Sequence, residues 1–144
     1  MLNMMFAGAA AAVSPPSVDC LHSAPLFMRE YAGELSAGDR DALARRYSAK
    51  GAYSIGFGPK SFETRAEIAR RYAGASWRKP DQFAWDDLSY EQLGKDTCLV
   101  VGGFRWTASG RTALLAYTAV LRREGKALRI ILEHENVLPD AAPQ

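Results

Sequence analysis

The residues best suited to proton transfer lie near the end of the sequence, where Glu133, His134 and Glu135 follow one another. His134 is a candidate general acid or base because histidine titrates near neutral pH. The apolar residues that alternate before this triplet are Leu128, Ile130 and Leu132. Since successive strand residues point to opposite faces, we expect His134 to share their inner face and the two glutamates to point outward. The alternative is a structural histidine, partly buried and bonded to a backbone group or a carboxylate.

Arg105 is the most informative charge in the second half of the chain, where it stands between Phe104 and Trp106. Turned inward, it would bind a carboxylate ligand through a two-pronged hydrogen bond. Turned outward, it would pair with an acidic residue across the sheet. Alternation with the two aromatic neighbours favours the outward orientation.

Aromatic and aliphatic residues form a second group with a functional interpretation. Rings around a concave apolar cavity suit a flat hydrophobic ligand, but they also suit core filling or a dimer interface. The candidate ligand-binding residues, besides Arg105, are Tyr53, Ile55, Phe57, Tyr72, Trp77, Ile130 and Leu132. The carboxylate pairs Asp86-Asp87 and Glu133 with Glu135 are not expected to form acid–base pairs.

Composition and charge exclude several classes of protein. The net charge is +2 and the basic residues are dispersed, which argues against nucleic-acid binding. No apolar run is long enough to span a membrane. Cys20 and Cys98 are not spaced like metal-binding or redox-active cysteines. Two reduced thiols in a cytoplasmic protein are the simpler interpretation. A disulfide between them is the alternative. No metal or other cofactor is indicated.

The first 22 residues are predicted to form an N-terminal arm, with Pro15-Pro16 near its end. The arm is either flexible or packed on the surface. Its short apolar stretch also resembles part of a secretory signal, although the basic start of such a signal is missing. Export is therefore the alternative to a cytoplasmic location.

The first half of the remaining chain has the periodicity of helices. Apolar residues four apart predict a first helix that Ser23 caps and Gly38 ends. Asp39 caps a second helix, and Thr64 opens a third through a capping box with Glu67. The segment AYSIGFG, between the second and third helices, predicts one short strand.

The second half has a period of two. Long strands are predicted at residues 83–92, 97–107, 111–123 and 128–137. Short turns join them into antiparallel hairpins, and Gly102-Gly103 predicts a bend or bulge in mid-strand. We therefore expect an α+β domain over residues 23–138, with a cone-shaped curved sheet, antiparallel or mixed, and three helices over its concave face. Residues 139–144 are a tail.

Four segments together resemble the nuclear transport factor 2-like superfamily: LSAGDRDAL, YSAKGAYSIG, TRAEIARRY and YTAVLRREGKALRIILEHEN. The resemblance covers about residues 24–138. Within the superfamily it is closest to the SnoaL-like and DUF4440-type proteins, whose members include polyketide cyclases and ketosteroid isomerases. It implies the cone fold, but this fold hosts isomerases, dehydratases, cyclases, hydrolases and non-catalytic association domains.

The resemblance also implies roles for particular residues. Tyr31 matches a tyrosine that donates to an enolate oxygen in the steroid isomerases, and Tyr117 matches their second donor. The general base of those enzymes corresponds to Ile55, which cannot move a proton, so their reaction is not expected here. The SnoaL-like ending Trp-Arg-Ile-Val-His-Glu-His is similar to residues 128–134, where Leu132 replaces the first histidine and His134 keeps the second. Arg105 matches a pocket arginine of the kinase association domains.

Two functions follow from these observations. The first is a cone that binds a small hydrophobic or aromatic molecule, with non-redox isomerase, cyclase, dehydratase or hydrolase chemistry on a polyketide-, steroid- or aromatic-acid-like substrate. In that case His134 would transfer protons, and Tyr31 and Tyr117 would donate hydrogen bonds. The second is a non-catalytic association domain with a filled pocket, and a homodimer through the outer sheet face is expected under both. A cavity of at least ~300 Å³ that reaches Tyr31 and His134 would favour the first function.

Overall fold

Three helices and six strands make up the part of the chain that the computed structural model describes, residues 19–56 and 58–139. In chain order they are α1 (Cys20–Ala37), α2 (Arg40–Arg45), β1 (Ala52–Ile55), β2 (Ser61–Glu63), α3 (Arg65–Ala73), β3 (Gln82–Gly94), β4 (Thr97–Ala108), β5 (Arg111–Glu124) and β6 (Ala127–Val137). The four long strands agree with their predicted ranges to within two residues. β2 was missed because its three residues are too few to show alternation.

The six strands form one mixed sheet in the order β2-β1-β6-β5-β4-β3. Neighbouring strands are antiparallel except β1 and β6, which are parallel. The buried side chains of the helices pack with those on the inner face of the sheet in one hydrophobic core. This is the α+β cone that the sequence predicts, with one extra short strand.

The predicted caps set most of the helix ends. Gly38 ends α1 in the left-handed conformation, with φ of 73°. Asp39 caps α2 by accepting a hydrogen bond from the Ala42 amide, and Thr64 with Glu67 forms the predicted capping box of α3. The start of α1 was placed too late, because Asp19 rather than Ser23 is its N-cap. Three residues of the predicted arm, 20–22, therefore belong to α1, and residues 1–18 lie outside the described part.

The two cysteines form a disulfide, so the prediction of reduced thiols was wrong. Cys20 at the start of α1 and Cys98 on β4 are joined across 78 residues, with a Cα–Cα distance of 5.5 Å. Both residues are fully buried. Nothing in their sequence spacing indicated the pairing, because only folding brings the two elements together.

A bulge does lie at the level of Gly102-Gly103, but it is on the neighbouring strand β3 and not on β4 as predicted. The β3–β4 register shifts between Asp86 and Ser89, and Asp87 has a positive φ of 48°. The bulged backbone approaches Gly102 so closely that a Cβ atom there would lie 2.6 Å from the carbonyl oxygen of Asp87. Glycine on β4 thus makes room for a bulge that bends β3.

A second bulge lies on β6. Val120 pairs with Leu132, but the next residue of β5, Leu121, pairs with Ile130, so Ile131 is the extra residue. A bulge of this kind reverses the face on which the following side chains point.

None of the helices in residues 19–56 and 58–139 has the length and apolar character needed to cross a bilayer.

Candidate ligand-binding and acid–base site

The bulge at Ile131 turns the acidic end of β6 inward. Ile130 is on the inner face before it, fully buried, and Glu133 is on the inner face after it, with 7% of its surface exposed. Glu133 and Glu135 both line a cavity on that face. Their predicted outward orientation was wrong, because the alternation that supported it assumed a regular strand.

The cavity has a volume of about 580 Å³ and lies between the helices and the inner face of the sheet. The aromatic residues that line it are Tyr31, Tyr47, Tyr72, Trp77, Phe83, Trp85, Phe104 and Trp106. Its charged lining residues are Glu63, Arg71, Glu133 and Glu135. The tyrosines and Glu133 are buried, whereas Arg71 and Glu63 keep part of their side chains exposed and mark its rim. An apolar cavity with a few convergent polar groups is the usual form of a small-molecule site.

Tyrosine hydroxyls hold the Glu133 carboxylate. The hydroxyl of Tyr47 donates to Oε2 over 2.6 Å, and that of Tyr117 donates to Oε1 over 2.7 Å. The hydroxyl of Tyr31 donates to Oε1 over 3.3 Å and lies 3.2 Å from that of Tyr47, which in turn is 3.2 Å from that of Tyr72. A buried carboxylate with this many donors is a stable acceptor in a low-dielectric setting.

Burial, followed by the negative charge of Glu133, raises the pKa values of Tyr31, Tyr47, Tyr72 and Tyr117. These hydroxyls therefore stay protonated at all physiological pH values. They act as hydrogen-bond donors, and a phenolate does not form at this site.

Glu135 is the group with the most unusual protonation in the cavity. Burial and the nearby charge of Glu133 raise the pKa of this carboxyl to about 8, although Arg71 acts in the opposite direction. Arg71 itself lies at the rim, where its Nε is 3.1 Å from Oε1 of Glu63. Near neutral pH Glu135 can thus both donate and accept a proton.

Several predicted site residues do reach the cavity. Tyr31, Ile55, Tyr72 and Trp77 line it. Tyr117 lies behind Glu133, fully buried, and touches the site through its hydrogen bond to that carboxylate. The hydroxyls of Tyr31 and Tyr117 both point to Glu133, so what they donate to is this carboxylate.

His134 and Leu132 lie on the opposite, outer face, so their predicted inward orientation was wrong. The bulge reverses the strand between Ile130 and these two residues. His134 is paired with Thr118 of β5, which is paired in turn with Val101 of β4, 44% exposed. The cavity passes the ~300 Å³ criterion and reaches Tyr31 but not His134.

The other ligand-binding candidates do not line the cavity. Arg105 points outward, with its Nη2 3.7 Å from Oδ1 of Asp86, and so follows the outward alternative. Tyr53 is 44% exposed because it is paired with the outward-facing Leu132. Ile130 faces inward but is sealed within the core. Phe57 lies outside the described residues.

The prediction missed Glu133, Glu135, Tyr47 and Arg71 as site residues. One signal in the sequence could have found the two glutamates. Residues 130–132 are three consecutive apolar residues in a strand that otherwise alternates, and such an interruption is typical of a bulge. Nothing comparable marks Tyr47 or Arg71, because the bridge of Tyr47 to Ile130 and the packing of α3 bring them to the cavity.

Solved structures, but no family model or curated sequence, resemble this chain. No family model and no curated protein sequence matches the chain. Among solved structures, it is similar to a nuclear transport factor 2-like protein of unknown function from Shewanella oneidensis, with a TM-score of 0.69, 15% identity, and coverage of 78% of this chain and 95% of that chain.

Two further structures have names that suggest different functions. A proposed ketosteroid isomerase from Parabacteroides distasonis matches with a TM-score of 0.67 and 16% identity, over 81% of this chain and 86% of that chain. A proposed calcium/calmodulin-dependent protein kinase II association domain from Xanthomonas campestris matches with a TM-score of 0.67 and 14% identity, over 91% of this chain and all of that chain, 100%. At these identities the likeness establishes the fold alone.

Proposed function

The chain has the nuclear transport factor 2-like fold, and from this premise we propose that its cavity binds a small, largely apolar molecule with one or more rings, and that Glu135 transfers a proton to or from it. One observation carries the proposal: a carboxyl with a pKa of about 8 faces a cavity of about 580 Å³ that aromatic rings surround. Groups with strongly shifted pKa values inside clefts are typical of functional sites.

Glu135 offers the base that the first short strand lacks. Ile55 on β1 cannot accept a proton, and Ser54, the β1 residue paired with Glu133, is not ionisable at neutral pH. Glu135 lies on the adjoining strand, and its backbone packs so closely on the residue after β1 that a Cβ at Gly56 would overlap its carbonyl oxygen. A carboxyl on β6 can therefore serve a ligand in the same cavity.

The proposed chemistry is proton transfer without a change of oxidation state. A general acid or base matched to neutral pH commonly contributes 10²–10⁴-fold to a rate. Isomerisation, cyclisation, dehydration and hydrolysis of polyketide- or steroid-like ring compounds belong to this class. Tyr31 and Tyr117 are assigned a positioning role, because their hydroxyls fix the Glu133 carboxylate beside Glu135.

Deuterium exchange tests the proposal without knowledge of the natural substrate. In heavy water, the protein is expected to accelerate exchange at the carbon next to the carbonyl of ring ketones such as indanone and tetralone, followed by NMR. Glu135→Gln should reduce the accelerated rate by about 10²-fold or more. The matched control, Glu91→Gln, changes an exposed glutamate of β3 and should leave the rate unchanged. Exchange no faster than in buffer alone would reject the proposal.

A homodimer through the outer sheet face is a second proposal, and it is compatible with the first. Val101 and Leu114 are 44% and 40% exposed on that face, and an apolar patch of this kind is costly in water. Sedimentation analysis should find a dimer that Leu114→Glu dissociates, with the circular dichroism spectrum unchanged. A monomeric wild-type chain would contradict this proposal and would favour the cavity alone as the functional feature.

Export to an oxidising compartment is the location that the disulfide supports. Disulfides such as Cys20–Cys98 persist outside the reducing cytoplasm. Thiol labelling of the denatured protein, taken from its native cells without reductant, should find both cysteines blocked. Two free thiols in that material would instead support the cytoplasmic alternative.

A further inference from the structure

The charges of the cavity are unbalanced, which indicates the class of ligand it holds. Among the described lining residues, one guanidinium group, that of Arg71, faces the carboxyl groups of Glu63, Glu133 and Glu135. Arg71 is paired with Glu63 at the rim. Within residues 19–56 and 58–139, neither Glu133 nor Glu135 has an ion pair.

The two inner carboxyls, of Glu133 and Glu135, differ in the hydrogen bonds that they accept. Glu133 accepts hydrogen bonds from the tyrosine hydroxyls, but these donors are neutral, so its negative charge remains in the cavity. Glu135 makes no side-chain hydrogen bond to any described residue, and its carboxyl faces the open volume. Arg71 partly offsets the charge of Glu135 from a distance, but its salt bridge is to Glu63, so no cation within the described residues pairs directly with Glu135.

The aromatic lining of the cavity also favours a cationic group. The face of an indole or phenol ring carries negative potential and attracts a cation within about 6 Å. This chain already uses such contacts, since the guanidinium of Arg40 lies 5.2 Å from the ring of Trp77 and that of Arg71 lies 5.0 Å from the ring of Tyr72. A cation in the cavity would meet both the carboxyl groups and the aromatic rings that line it.

We propose that the ligand is an organic cation: a molecule with at least one ring and a protonated amine, bound with its ammonium between Glu135 and the aromatic lining. The inference rests on the proposed function, because it names the ligand class of the same cavity. It also replaces the expectation of an aromatic acid. The arginine that was to bind an acid, Arg105, lies on the outer face, and the inner carboxylates repel anions.

The protonation of Glu135 gives the inference a measurable consequence. An ammonium group favours the charged carboxylate, so its binding should lower the pKa of Glu135 from about 8 and release a proton at neutral pH. Amine affinity should therefore rise from pH 6 to pH 8 and fall again near ~10, where the amine loses its own proton. The titratable and charged groups around Glu135 are Tyr31 on α1, Tyr47, Glu63 on β2, Arg71 and Tyr72 on α3, Tyr117 on β5 and Glu133 on β6.

Three ligands that differ only in their polar group make a direct test. Calorimetric titration with naphthylethylamine, naphthylethanol and naphthylpropionic acid at pH 7.5 should find the amine bound at least about tenfold more tightly than the other two. Glu135→Gln should remove most of this preference, and Glu91→Gln should keep it. Amine titrations of the wild-type protein in two buffers with different ionisation enthalpies should reveal the released proton, whether or not the variant folds.

Each other outcome overturns the inference. Equal or tighter binding of the alcohol or the acid would show a ring-binding cavity with no preference for cations, and the proposed function would survive. Amine binding without proton release would exclude Glu135 as the partner of the ammonium. Failure of all three ligands to bind rejects the amine, and the ketone exchange assay decides separately whether Glu135 moves protons.

Discussion

The inner face of β6 has two ends of opposite character, with Ile131 between them. Before it, Ile130 lies in a row with Leu121 and Cys98 across three strands, and all three are completely buried. After it, Glu133 and Glu135 face a cavity, and neither forms a salt bridge with another described residue. One strand thus forms the sealed core at one end and the reactive site at the other.

The difference shows how a fold can tolerate a poorly solvated carboxyl. Burial and the nearby charge of Glu133 disfavour the charged form of Glu135, as its raised pKa indicates. The apolar row and the Cys20–Cys98 disulfide stabilise the other end of the same sheet. Separate ends allow the site to keep a costly group while the core supplies stability.

Removing apolar volume at the sealed end should have the largest effect. Ile130→Ala is expected to lower the free energy of unfolding by about 2–5 kcal/mol, because it leaves a cavity in the core. Denaturant titration measures the change. Ile131→Ala, at the half-buried bulge residue next to it, serves as the matched control and should cost less. Equal losses for the two variants would show that the bulge is as tightly packed as the core.

Breaking the disulfide should have the next largest effect. Replacing both Cys20 and Cys98 with alanine is expected to cost about 2–4 kcal/mol, because the unfolded chain gains freedom. The wild-type melting temperature should fall when reductant is added, whereas that of the double variant should not respond. If the double variant also lost ketone exchange at a temperature where it is folded, the two ends would be coupled.

Removing the charge of Glu133, at the end of β6 that faces the cavity, should have a smaller effect. Glu133→Gln should cost about 1–3 kcal/mol, because the amide keeps one acceptor oxygen and leaves a tyrosine hydroxyl without its partner. Removal of the charge should also lower the pKa values of the surrounding tyrosines, which ultraviolet titration detects. Unchanged tyrosine titration would mean that burial alone determines their protonation.

Glu135 should give an effect of opposite sign, and it comes last because solvent screens its partly exposed carboxyl and reduces the effect of its pKa shift on stability. Its folded-state pKa of about 8 exceeds the ordinary value of 4.5, so the native state binds more protons between these values. Stability contributed by protonated Glu135 is therefore present at low pH and is lost as pH rises towards 8. Glu135→Gln should remove this loss and stabilise the protein at pH 9 by at least about 1.4 kcal/mol, the equivalent of one pKa unit.

Thermal unfolding of wild type and Glu135→Gln at pH 5 and pH 9 measures this difference. Glu91→Gln should follow the wild type at both values, since its side chain is exposed. A wild-type protein whose stability relative to Glu135→Gln is the same at both pH values would contradict the raised pKa.

Much of the fold could be predicted from local patterns, whereas much of the site could not. The caps at Asp39 and Thr64 and the four long strands depend on neighbours in sequence. The inward turn of Glu135 depends on one unpaired residue, which shifts the register of all that follow. The predicted inward orientation of His134 was wrong for this single reason.

The order of the helices and strands, most of their ends and the α+β class follow from local sequence patterns, because propensity, capping and periodicity act over a few residues. The tertiary structure decided which side chains share a space. The bulge at Ile131 placed two glutamates where a histidine was expected, and chain folding joined Cys20 to Cys98 across 78 residues. Hydrogen-bonded caps form between residues close in sequence, whereas strand register, cysteine pairing and the protonation of a half-buried carboxyl depend on groups far apart in the chain.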